Sequence, residues 1–299
     1  MSAEFAPTVL ITGCSPGGIG HALARKLHHR GLRVIATART TDKLDDLEAL
    51  GLITLPLTVD SEDSIQECFK QVETVCGGRL DYLINNAGTN LTIPALDVNL
   101  DDARKCLETN FFAVVRLVQV FSPLLMNAKG TIVMVGSLAA EMPFVFGSVY
   151  NASKAALLSY SDALRVELAP FDVKVITLIT GGVRSLLTTK TDRILPATSL
   201  YKPIEEHFNR RKLYSAHVGM DPDVYAESVV KQILPGAGPW PWRWFMSDAR
   251  KSWVWVGSGA WLVWFVTQGW RRNRLLDWYF TRKFELNRLR GRASHTKRD

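Results

Sequence analysis

Short apolar segments alternate with longer helical patterns over most of this 299-residue chain. Six such segments are rich in β-branched residues, and stretches of good helix formers separate most of them. This alternation is typical of βαβ units, in which successive strands pair in parallel. Segments such as TIVMV at 131–135 are apolar on both faces, as a parallel sheet covered by helices requires. The chain is therefore predicted to form an α/β fold with one doubly wound parallel sheet.

The predicted elements follow one another without an internal repeat. Predicted strands cover residues 8–12, 32–39, 52–60, 80–88, 130–137 and 173–182. Predicted helices cover residues 21–31, 62–76, 103–126, 148–170 and 221–234. Residues 186–222 are of mixed composition and contain three prolines, so we expect an excursion above the sheet there. The order of elements predicts a Rossmann fold.

Composition changes after residue 234. All nine tryptophans lie between Trp240 and Trp278. The net charge of +7 also arises near the C-terminus, because residues 271–299 hold ten Lys and Arg against three Asp and Glu. A body with balanced charge argues against nucleic-acid binding. We predict a single domain over residues 1–234 and a Trp-rich, basic extension over residues 235–299.

The four cysteines, at positions 14, 68, 76 and 106, are not spaced like metal ligands. A chain of this length does not need disulfides, so we expect reduced thiols, a cytosol-facing compartment and no metal site. The first residues lack a basic region followed by a long apolar stretch, so a secretory signal is not expected.

A glycine-rich loop, TGCSPGGIG at 12–20, separates the first predicted strand from the first helix. Glycines allow the backbone to turn tightly and to approach a pyrophosphate, and the helix N-terminus adds free N–H groups and a favourable dipole. The strand-to-helix context predicts a dinucleotide site rather than a simple glycine turn. The residues expected to contact the dinucleotide are Thr12, Gly13, Ser15, Gly18, Ile19 and Gly20.

The end of the second predicted strand indicates which dinucleotide binds. An acid there would bind a ribose 2′-hydroxyl and favour NAD, but the chain has Ala38 and Arg39. A cation suits the 2′-phosphate of NADP, so we predict NADP(H) as the cofactor. Asp60, at the end of the third predicted strand, is expected to meet the adenine amino group. The segment after the fourth predicted strand contributes Asn86, Ala87 and Gly88.

Tyr150 and Lys154 are four residues apart in a predicted helix, which places them on one helical face. An exposed surface pair would have the same spacing. A free phenol has a pKa near 10, and a neighbouring ammonium group favours the phenolate. Reduction of a carbonyl needs a hydride on carbon and a proton on oxygen, and such a phenol can supply the proton. Ser137, after the fifth predicted strand, can polarise the carbonyl by a hydrogen bond.

Taken together, the glycine loop, the Asn-Asn-Ala-Gly segment at 85–88, Ser137 and Tyr-x-x-x-Lys resemble the classical short-chain dehydrogenase/reductases over residues 8–234. The resemblance implies catalytic roles for Asn110, Ser137, Tyr150 and Lys154. It further implies that Lys154 holds the nicotinamide ribose and that Asn110 holds a water that links Lys154 to solvent. Residues expected near the nicotinamide are Tyr150, Lys154, Gly181, Val183 and Ser185.

The chain departs from the family pattern after the sixth predicted strand, where Thr180-Gly181 replaces the usual Pro-Gly. Gly181-Gly182 still allows the backbone to approach the nicotinamide amide. The extra residue in the glycine loop, the segment at 179–183 and the Trp-rich C-terminus resemble a narrower branch. That branch is the fungal NADPH-dependent 1-acyl-dihydroxyacetone-phosphate reductases and their relatives in secondary metabolism.

Two apolar segments flank the expected substrate side of Tyr150. An apolar wall implies a bulky or lipid-like substrate, although residues of this kind also serve as ordinary packing of a lid. Arg184 and Lys190 are candidates to meet an anionic head group. One expected wall contains Met142, Phe144, Val145 and Phe146, and the other contains Leu186, Leu187, Ile194, Leu195 and Leu200.

The extension contains a membrane-like stretch. Residues 252–270 carry no charge and are just long enough to span a bilayer, but three glycines dilute them. Trp-rich segments flanked by Arg and Lys bind in the headgroup layer. We expect interfacial binding, through residues 240–290, to a cytosolic membrane face such as the endoplasmic reticulum or a lipid droplet. The alternatives are a true span, a last strand of the sheet at residues 253–256, and a dimer interface or substrate lid.

The functional prediction is an NADP(H)-dependent short-chain dehydrogenase/reductase that interconverts a ketone and a secondary alcohol on an apolar or lipid-like substrate. Reduction of 1-acyl-dihydroxyacetone phosphate and tailoring of a terpenoid or polyketide are the alternatives within that class. A non-catalytic, nucleotide-binding membrane scaffold is the rival from another class. The habit of the family implies a homo-dimer or homo-tetramer that pairs through two long helices.

Overall fold

The computed structural model describes residues 6–185, 193–234, 252–269, 282, 283 and 285. Within these ranges the chain forms one parallel sheet covered by helices. The strands are β1 (Thr8–Ile11), β2 (Arg33–Ala38), β3 (Ile53–Pro56), β4 (Tyr82–Asn85), β5 (Thr131–Val135), β6 (Lys174–Thr180) and β7 (Trp253–Val256). The helices are α1 (Ile19–His29), α2 (Asp45–Ala49), α3 (Glu62–Cys76), α4 (Leu100–Leu107), α5 (Ala113–Ala128), α6 (Ser148–Leu168), α7 (Glu205–Val218), α8 (Pro222–Ile233) and α9 (Ala260–Gly269).

The strand order is β3-β2-β1-β4-β5-β6-β7, and every neighbouring pair is parallel. The order reverses between β1 and β4, so the two halves of the chain wind in opposite directions from the centre. Open α/β sheets bind ligands at such a reversal, beyond the carboxyl ends of the strands. The predicted doubly wound parallel sheet is confirmed.

Helices cover both faces of the sheet because its strands are apolar on both sides. Leu10 and Ile11 are adjacent in β1 and fully buried, yet they belong to different cores. Ile11 packs with side chains of α1, α2 and α8, and Leu10 packs with side chains of α3, α5 and α6. Since successive side chains of a strand point to opposite faces, each strand contributes to both layers. A fully buried Leu or Ile contributes about 1.5–3 kcal/mol by its removal from water.

The helix predicted over residues 103–126 is longer and irregular. Helical structure runs from Leu100 to Ala128, but one π-helical turn, Glu108–Phe112, separates α4 from α5. A π turn places one extra residue in the helix, and such turns occur frequently at functional sites. By length and apolar composition this segment passes the criterion for a membrane span. It is nevertheless a core helix, because Leu117 and Phe121 are buried against the sheet.

One predicted boundary, one helix that was not predicted and one predicted loop differ from the structure. β3 ends at Pro56, so Asp60 lies in the turn after the strand and is exposed. The short helix α2 was not predicted, because five residues carry too little periodicity to be read. The excursion at 186–222 contains α7, whose first residues are mostly charged. Phe208 anchors α7, and its side chain is fully buried.

The extension completes the sheet. β7 pairs in parallel with β6, which confirms the alternative that placed a last strand at residues 253–256. The indole nitrogen of Trp253 donates a hydrogen bond to Asp162 of α6 at 2.8 Å. Because Trp253–Val256 form a strand of the sheet, residues 252–270 are not one continuous helix. The described part of α9 covers about 15 Å, half the thickness of a bilayer core.

Gly181 and Gly182 give a matched test of how β7 is held. A Cβ at Gly181 would lie 2.4 Å from the carbonyl oxygen of Ser258, whereas a Cβ at Gly182 would meet its nearest neighbours at 3.6 Å. We expect Gly181→Ala to lower the free energy of unfolding by about 1–3 kcal/mol, because the segment after β7 has to move. Gly182→Ala should be close to neutral. Denaturant unfolding of both variants checks this, and equal stability would contradict the packing described.

Candidate active site

The predicted site residues gather beyond the carboxyl ends of the central strands. The glycine loop follows β1, Asn86 to Gly88 follow β4, and Ser137 follows β5. Tyr150 and Lys154 lie on the first turns of α6, and Lys154 donates a hydrogen bond to the carbonyl oxygen of Val135 in β5 at 3.0 Å. Residues from four separate segments of the chain therefore converge at the edge where the strand order reverses.

Two glycines of the loop are required by close packing. Gly13 has φ +75°, and a Cβ there would lie 2.9 Å from the Cα of Ala87. A Cβ on Gly20, in the first turn of α1, would lie 2.5 Å from the carbonyl oxygen of Gly13 and from the side-chain nitrogen of Asn86. A larger residue at either position would push the loop away from the sheet, so the loop has to carry glycine at both.

Thr12 and Asn86 hold the loop against the end of β4. The Thr12 hydroxyl accepts hydrogen bonds from the backbone N–H groups of Asn86 and Ala87, both at 3.0 Å. The Asn86 amide donates to the carbonyl oxygens of Thr12 at 2.8 Å and Gly13 at 2.9 Å. Both Asn86 amide hydrogens are therefore committed to the loop. Within the chain, Thr12 and Asn86 set the shape of the dinucleotide site.

The N-terminus of α1 presents open backbone donors. Gly18 is the N-cap and provides no side-chain hydrogen bond, and the first turn contains no acid. The first N–H groups of a helix lack intrahelical acceptors and attract an anion. Ser15 and Ile19 are half-buried beside this opening, and the Ser15 carbonyl accepts a bond from the Gly18 N–H. The arrangement fits a pyrophosphate.

The basic residue expected to select the cofactor stands at the rim of this opening. Ala38, the last residue of β2, is buried, and Arg39 directly after it is exposed. A flexible guanidinium at the end of β2 is available for a 2′-phosphate. Asp60 is also exposed, four residues beyond the end of β3. Its contact with the adenine stays a prediction.

Asn110 is fully buried in the π turn and clamps the backbone of Thr89. Its side-chain oxygen accepts from the Thr89 N–H at 2.8 Å, and its amide donates to the Thr89 carbonyl at 3.0 Å. The amide also donates to the Ser153 hydroxyl at 3.0 Å. A Cβ on Gly88 would lie 3.1 Å from the Asn110 oxygen and 3.8 Å from the Lys154 nitrogen. The side chains of Asn110 and Lys154 therefore both approach Gly88.

Thr89 and Ser153 are site residues that the sequence motifs did not indicate. The Ser153 hydroxyl donates to the Tyr150 carbonyl at 2.7 Å and accepts from Asn110 at 3.0 Å. It links the first turn of α6 to the π turn. The available signal was weak: a serine three residues after the tyrosine lies on the same helical face, but only its contacts with α4 and the π turn give it a role.

Lys154 is a buried cation. Its side chain is almost fully enclosed, and burial lowers the pKa of Lys154 to about 8. Water no longer solvates the ammonium group, and the carbonyl of Val135 is the partner that offsets part of that loss. At pH 7 the side chain remains mostly charged, but it releases its proton more easily than an exposed lysine.

Tyr150 stays protonated at neutral pH. Burial raises the pKa of Tyr150, and a side-chain hydrogen bond with Ser137 and the charge of Arg211 oppose that rise. The lowering of this pKa expected from Lys154 is not found, and burial determines the direction of the shift. A neutral phenol is the form that donates a proton. The Ser137 hydroxyl accepts the N–H of Ala139 at 3.1 Å, so its own hydrogen can point toward a ligand.

The segment after β6 contributes backbone to the site. The Gly181 N–H donates to the Val256 carbonyl at 2.7 Å, so β7 holds this glycine in place. Val183 is buried, with its side chain in the core shared with α8. Contact of Val183 with a nicotinamide would therefore use its backbone. Ser185 is half-buried and is the last described residue before the gap at 186–192.

Some side chains of the predicted substrate walls are buried beneath α7, and others are half-buried or exposed. Phe146 and Leu195 are buried and pack with the lid helix α7, as the alternative of ordinary lid packing anticipated. Met142, Phe144 and Val145 are half-buried around Tyr150, whereas Ile194 and Leu200 are exposed. Arg184 pairs with Asp221 at 3.1 Å. Leu186, Leu187 and Lys190 lie outside the described residues.

Arg39 allows the cofactor prediction to be tested directly. Arg39→Ala is expected to weaken NADPH binding about tenfold to a hundredfold, since a hydrogen bond to a charged group is worth about 1.5–3 kcal/mol. NADH binding should not change. Arg33→Ala, at the exposed start of the same strand, is the control and should bind both cofactors normally. Calorimetric titration measures both, and equal weakening of NADPH and NADH would contradict the assignment.

Comparison with known proteins agrees with this geometry. The family model for short chain dehydrogenases matches residues 7–194. The chain is 42% identical over 255 residues to the NADPH-dependent 1-acyldihydroxyacetone phosphate reductase of Schizosaccharomyces pombe, covering 83% of this chain and 85% of that protein. It is 37% identical over 288 residues to the short-chain dehydrogenase virD of Hypocrea virens, covering 94% of this chain and 93% of that protein.

A solved structure has the same fold over the whole chain. The short-chain dehydrogenase from Streptomyces avermitilis superposes with a TM-score of 0.74 at 24% identity, covering 99% of this chain and 100% of that one. The resemblance inferred from the motifs is thus confirmed by the family match, by two relatives that extend over most of the chain, and by the fold. The chain belongs to the short-chain dehydrogenase/reductase family.

Proposed function

We propose that the chain is an NADPH-dependent reductase that converts a ketone on an apolar or lipid-like substrate to a secondary alcohol. The observation that carries the proposal is the position of Tyr150, a phenol kept neutral by burial and hydrogen-bonded to Ser137, with Lys154 one helical turn away. A proton donor and a polarising hydroxyl at one point are what carbonyl reduction requires.

The residues present fit NADPH. The tightly packed loop at Gly13 and Gly20, the uncapped start of α1 and the exposed Arg39 provide places for the pyrophosphate and the 2′-phosphate. NADPH supplies the hydride when it is bound. The relative from Schizosaccharomyces pombe is named as NADPH-dependent, which supports the same cofactor here.

The side chains of the site then supply a hydrogen bond and a proton to the carbonyl oxygen of the substrate. Ser137 donates a hydrogen bond to the carbonyl oxygen, and Tyr150 transfers its phenolic proton to it, so a hydroxyl forms as the phenol becomes a phenolate. The Lys154 ammonium stabilises the phenolate by its charge and, with a pKa of about 8, can return a proton. Asn110 positions Thr89 and the turn that carries Tyr150 through Ser153.

The surroundings of Tyr150 favour an apolar substrate. Met142, Phe144 and Val145 lie beside it, and α7 covers them with a largely apolar lid core. The Schizosaccharomyces pombe relative is named for an acylated ketone, and this supports a lipid-like ketone as the substrate. Tailoring of a terpenoid or polyketide is the second candidate. The Hypocrea virens relative, named only as a short-chain dehydrogenase, matches over nearly the whole chain.

Tyr150→Phe tests the chemistry. We expect turnover of a long-chain ketone with NADPH to fall at least about a hundredfold, because general acid catalysis contributes 10²–10⁴-fold. NADPH binding should be retained. Tyr160→Phe is the control on the same helix; Tyr160 packs against Phe111 at 5.9 Å, away from the site, and should keep full activity. Stopped-flow absorbance of NADPH measures both. Undiminished turnover in Tyr150→Phe would refute Tyr150 as the proton donor, and a lack of turnover in the unaltered chain would support the non-catalytic scaffold instead.

We further propose that α9 binds a membrane surface on the cytosolic side, such as the endoplasmic reticulum or a lipid droplet. Trp261, Leu262, Trp264 and Phe265 are each at least 50% exposed, whereas Ala260 and Val263 pack against the body. Basic residues follow this helix directly in the sequence, at positions 271, 272 and 274. An apolar aromatic face beside cations fits the boundary between acyl chains and anionic head groups.

Vesicle binding tests this surface. The double substitution Trp261→Ser with Phe265→Ser should weaken partitioning onto phosphatidylserine-containing vesicles at least about tenfold, since each buried large side chain contributes about 1.5–3 kcal/mol. Leu50→Ser with Val224→Ser, two exposed apolar positions just after α2 and in the first turn of α8, is the control. Co-flotation measures binding, which should also fall with added salt. Unchanged flotation together with a changed molar mass in light scattering would identify α9 as a subunit interface.

Subunit pairing through the long helices also remains part of the proposal. Phe112, Met126 and Val166 expose apolar surface on the π turn, α5 and α6. Such a surface supports the homo-dimer or homo-tetramer expected for this family.

A further inference from the structure

Phe146 has a backbone conformation that a bulky side chain rarely adopts. Its φ is +64°, in the left-handed region, and the residue is buried. The Gly147 N–H donates to the carbonyl oxygen of Phe144 at 3.2 Å, so Phe146 is the third residue of a tight turn. Glycine or asparagine usually occupies that position when φ is positive, because a larger side chain is strained there. The backbone is therefore strained immediately before α6.

This turn leads directly into the helix that carries Tyr150. Gly147 is the N-cap of α6 and provides no side-chain hydrogen bond. Its carbonyl oxygen accepts from the Asn151 N–H at 2.7 Å, and the Asn151 side-chain amide donates to the Phe144 carbonyl at 3.1 Å. Because no side chain of the N-cap fixes this end of α6, its first residues depend on the turn for their position. Tyr150, directly before Asn151, is one of them.

Two rings of the lid, which comprises residues 193–218, pack against the Phe146 side chain. The ring of Phe208 in α7 lies 5.6 Å from the Phe146 ring at an angle of 82°. The ring of Tyr201, just before α7, lies 5.9 Å from it at 89°. Edge-to-face pairs of this kind are stabilised beyond the area that they bury. The lid therefore contacts the one side chain of this turn whose backbone is strained.

The strain at Phe146 and the ring contacts are of similar size. A residue persists at an unfavourable φ where its surroundings compensate the strain, and two aromatic pairs supply stabilisation of that order. The body of the protein contributes a hydrogen bond from the Ile93 N–H to the Phe146 carbonyl at 2.7 Å. Loss of the two rings would remove a stabilisation comparable to the strain, and the turn would then relax more readily toward a negative φ.

We infer that Phe146 couples the closed lid to the position of Tyr150. With the lid in place, Tyr201 and Phe208 hold Phe146 at its positive φ. The turn then keeps the first residues of α6 where Tyr150 can donate its proton. With the lid displaced, the turn relaxes and the proton donor moves away, so Phe146 is a positioning residue that acts through α6. This inference rests on the proposed reduction and adds that the proton donor is in place only while the lid is closed.

A comparison of glycine with alanine at position 146 separates the backbone from the side chain. Phe208→Ala should lower kcat for a long-chain ketone with NADPH about twofold to tenfold, because a ring contact is lost. Addition of Phe146→Gly should restore most of that loss, since glycine adopts a positive φ without strain. Addition of Phe146→Ala removes the same ring but retains the strain, and should restore nothing. Equally slow double variants would overturn the inference, because Phe146 would then only fill the core.

Further variants serve as a substitute and as controls. Tyr201→Leu breaks the other ring contact at a half-buried position, and provides the same comparison if Phe208→Ala does not fold. Leu213→Ala removes an exposed apolar side chain of α7 and should leave kcat unchanged. Lys129→Gly relieves a φ of +52° at the end of α5, before β5 and so at the opposite edge of the sheet from the site. It should also leave kcat unchanged.

Hydrogen exchange of the Asn151 backbone amide tests the coupling without turnover. This amide donates to the Gly147 carbonyl, so its exchange reports whether the first turn of α6 is formed. In the complex with NADP⁺, Phe208→Ala should raise its exchange rate about twofold to tenfold. Added Phe146→Gly should reverse this increase, and added Phe146→Ala should not. This pattern without turnover of a ketone by the unaltered chain would keep the coupling and refute the proposed reaction. Exchange that is unchanged in Phe208→Ala would refute the coupling, whatever the turnover.

Discussion

The contact between the glycine loop and the end of β4 organises the rest of the site. Four hydrogen bonds, each involving Thr12 or Asn86, join these segments, and Gly13 lies so close to Ala87 that no Cβ fits between them. The two segments are joined at the reversal of strand order. As a result, the start of α1 and the backbone at Gly88 and Thr89 have fixed relative positions, and the dinucleotide and the reacting groups share one rigid base.

A second set of polar contacts extends from this base to the catalytic helix. The Asn110 side chain forms hydrogen bonds with the backbone of Thr89 and donates another to the Ser153 hydroxyl. Ser153 in turn donates a hydrogen bond to the carbonyl oxygen of Tyr150. These groups are buried, and each is satisfied by a partner, which makes the arrangement stiff. The π turn is what brings Asn110 to this position. Burial destabilises the charged form of Lys154 and so lowers its pKa. Because the proton is held less tightly, Lys154 can donate it more easily.

The lid helix α7 and the extension lie outside the glycine loop and the catalytic helix. α7 packs through Phe208 against the apolar cluster that contains Tyr150. β7 adds a strand beyond β6 and leads into α9, which turns four large apolar side chains to the surface. The substrate choice and the membrane contact that we propose therefore depend on segments other than those that carry the proposed reaction.

The sequence by itself determined the doubly wound sheet, the dinucleotide loop and the Tyr-x-x-x-Lys face, because each depends on local periodicity or on spacing within one element. Apolar segments that alternate regularly with helical patterns predict parallel strands, and residues four positions apart in a helix share a face. For β7 it offered only one of several alternatives for an apolar stretch, and the pairing with β6 decided between them. What only the tertiary structure decided involves pairs distant in the chain. These are the role of Asn86 in holding the glycine loop, the link from Asn110 through Ser153, and the raised pKa of Tyr150. Each arises where side chains from separate elements pack together and exclude water. That packing depends on residues distant in the chain, so no local sequence pattern predicts it.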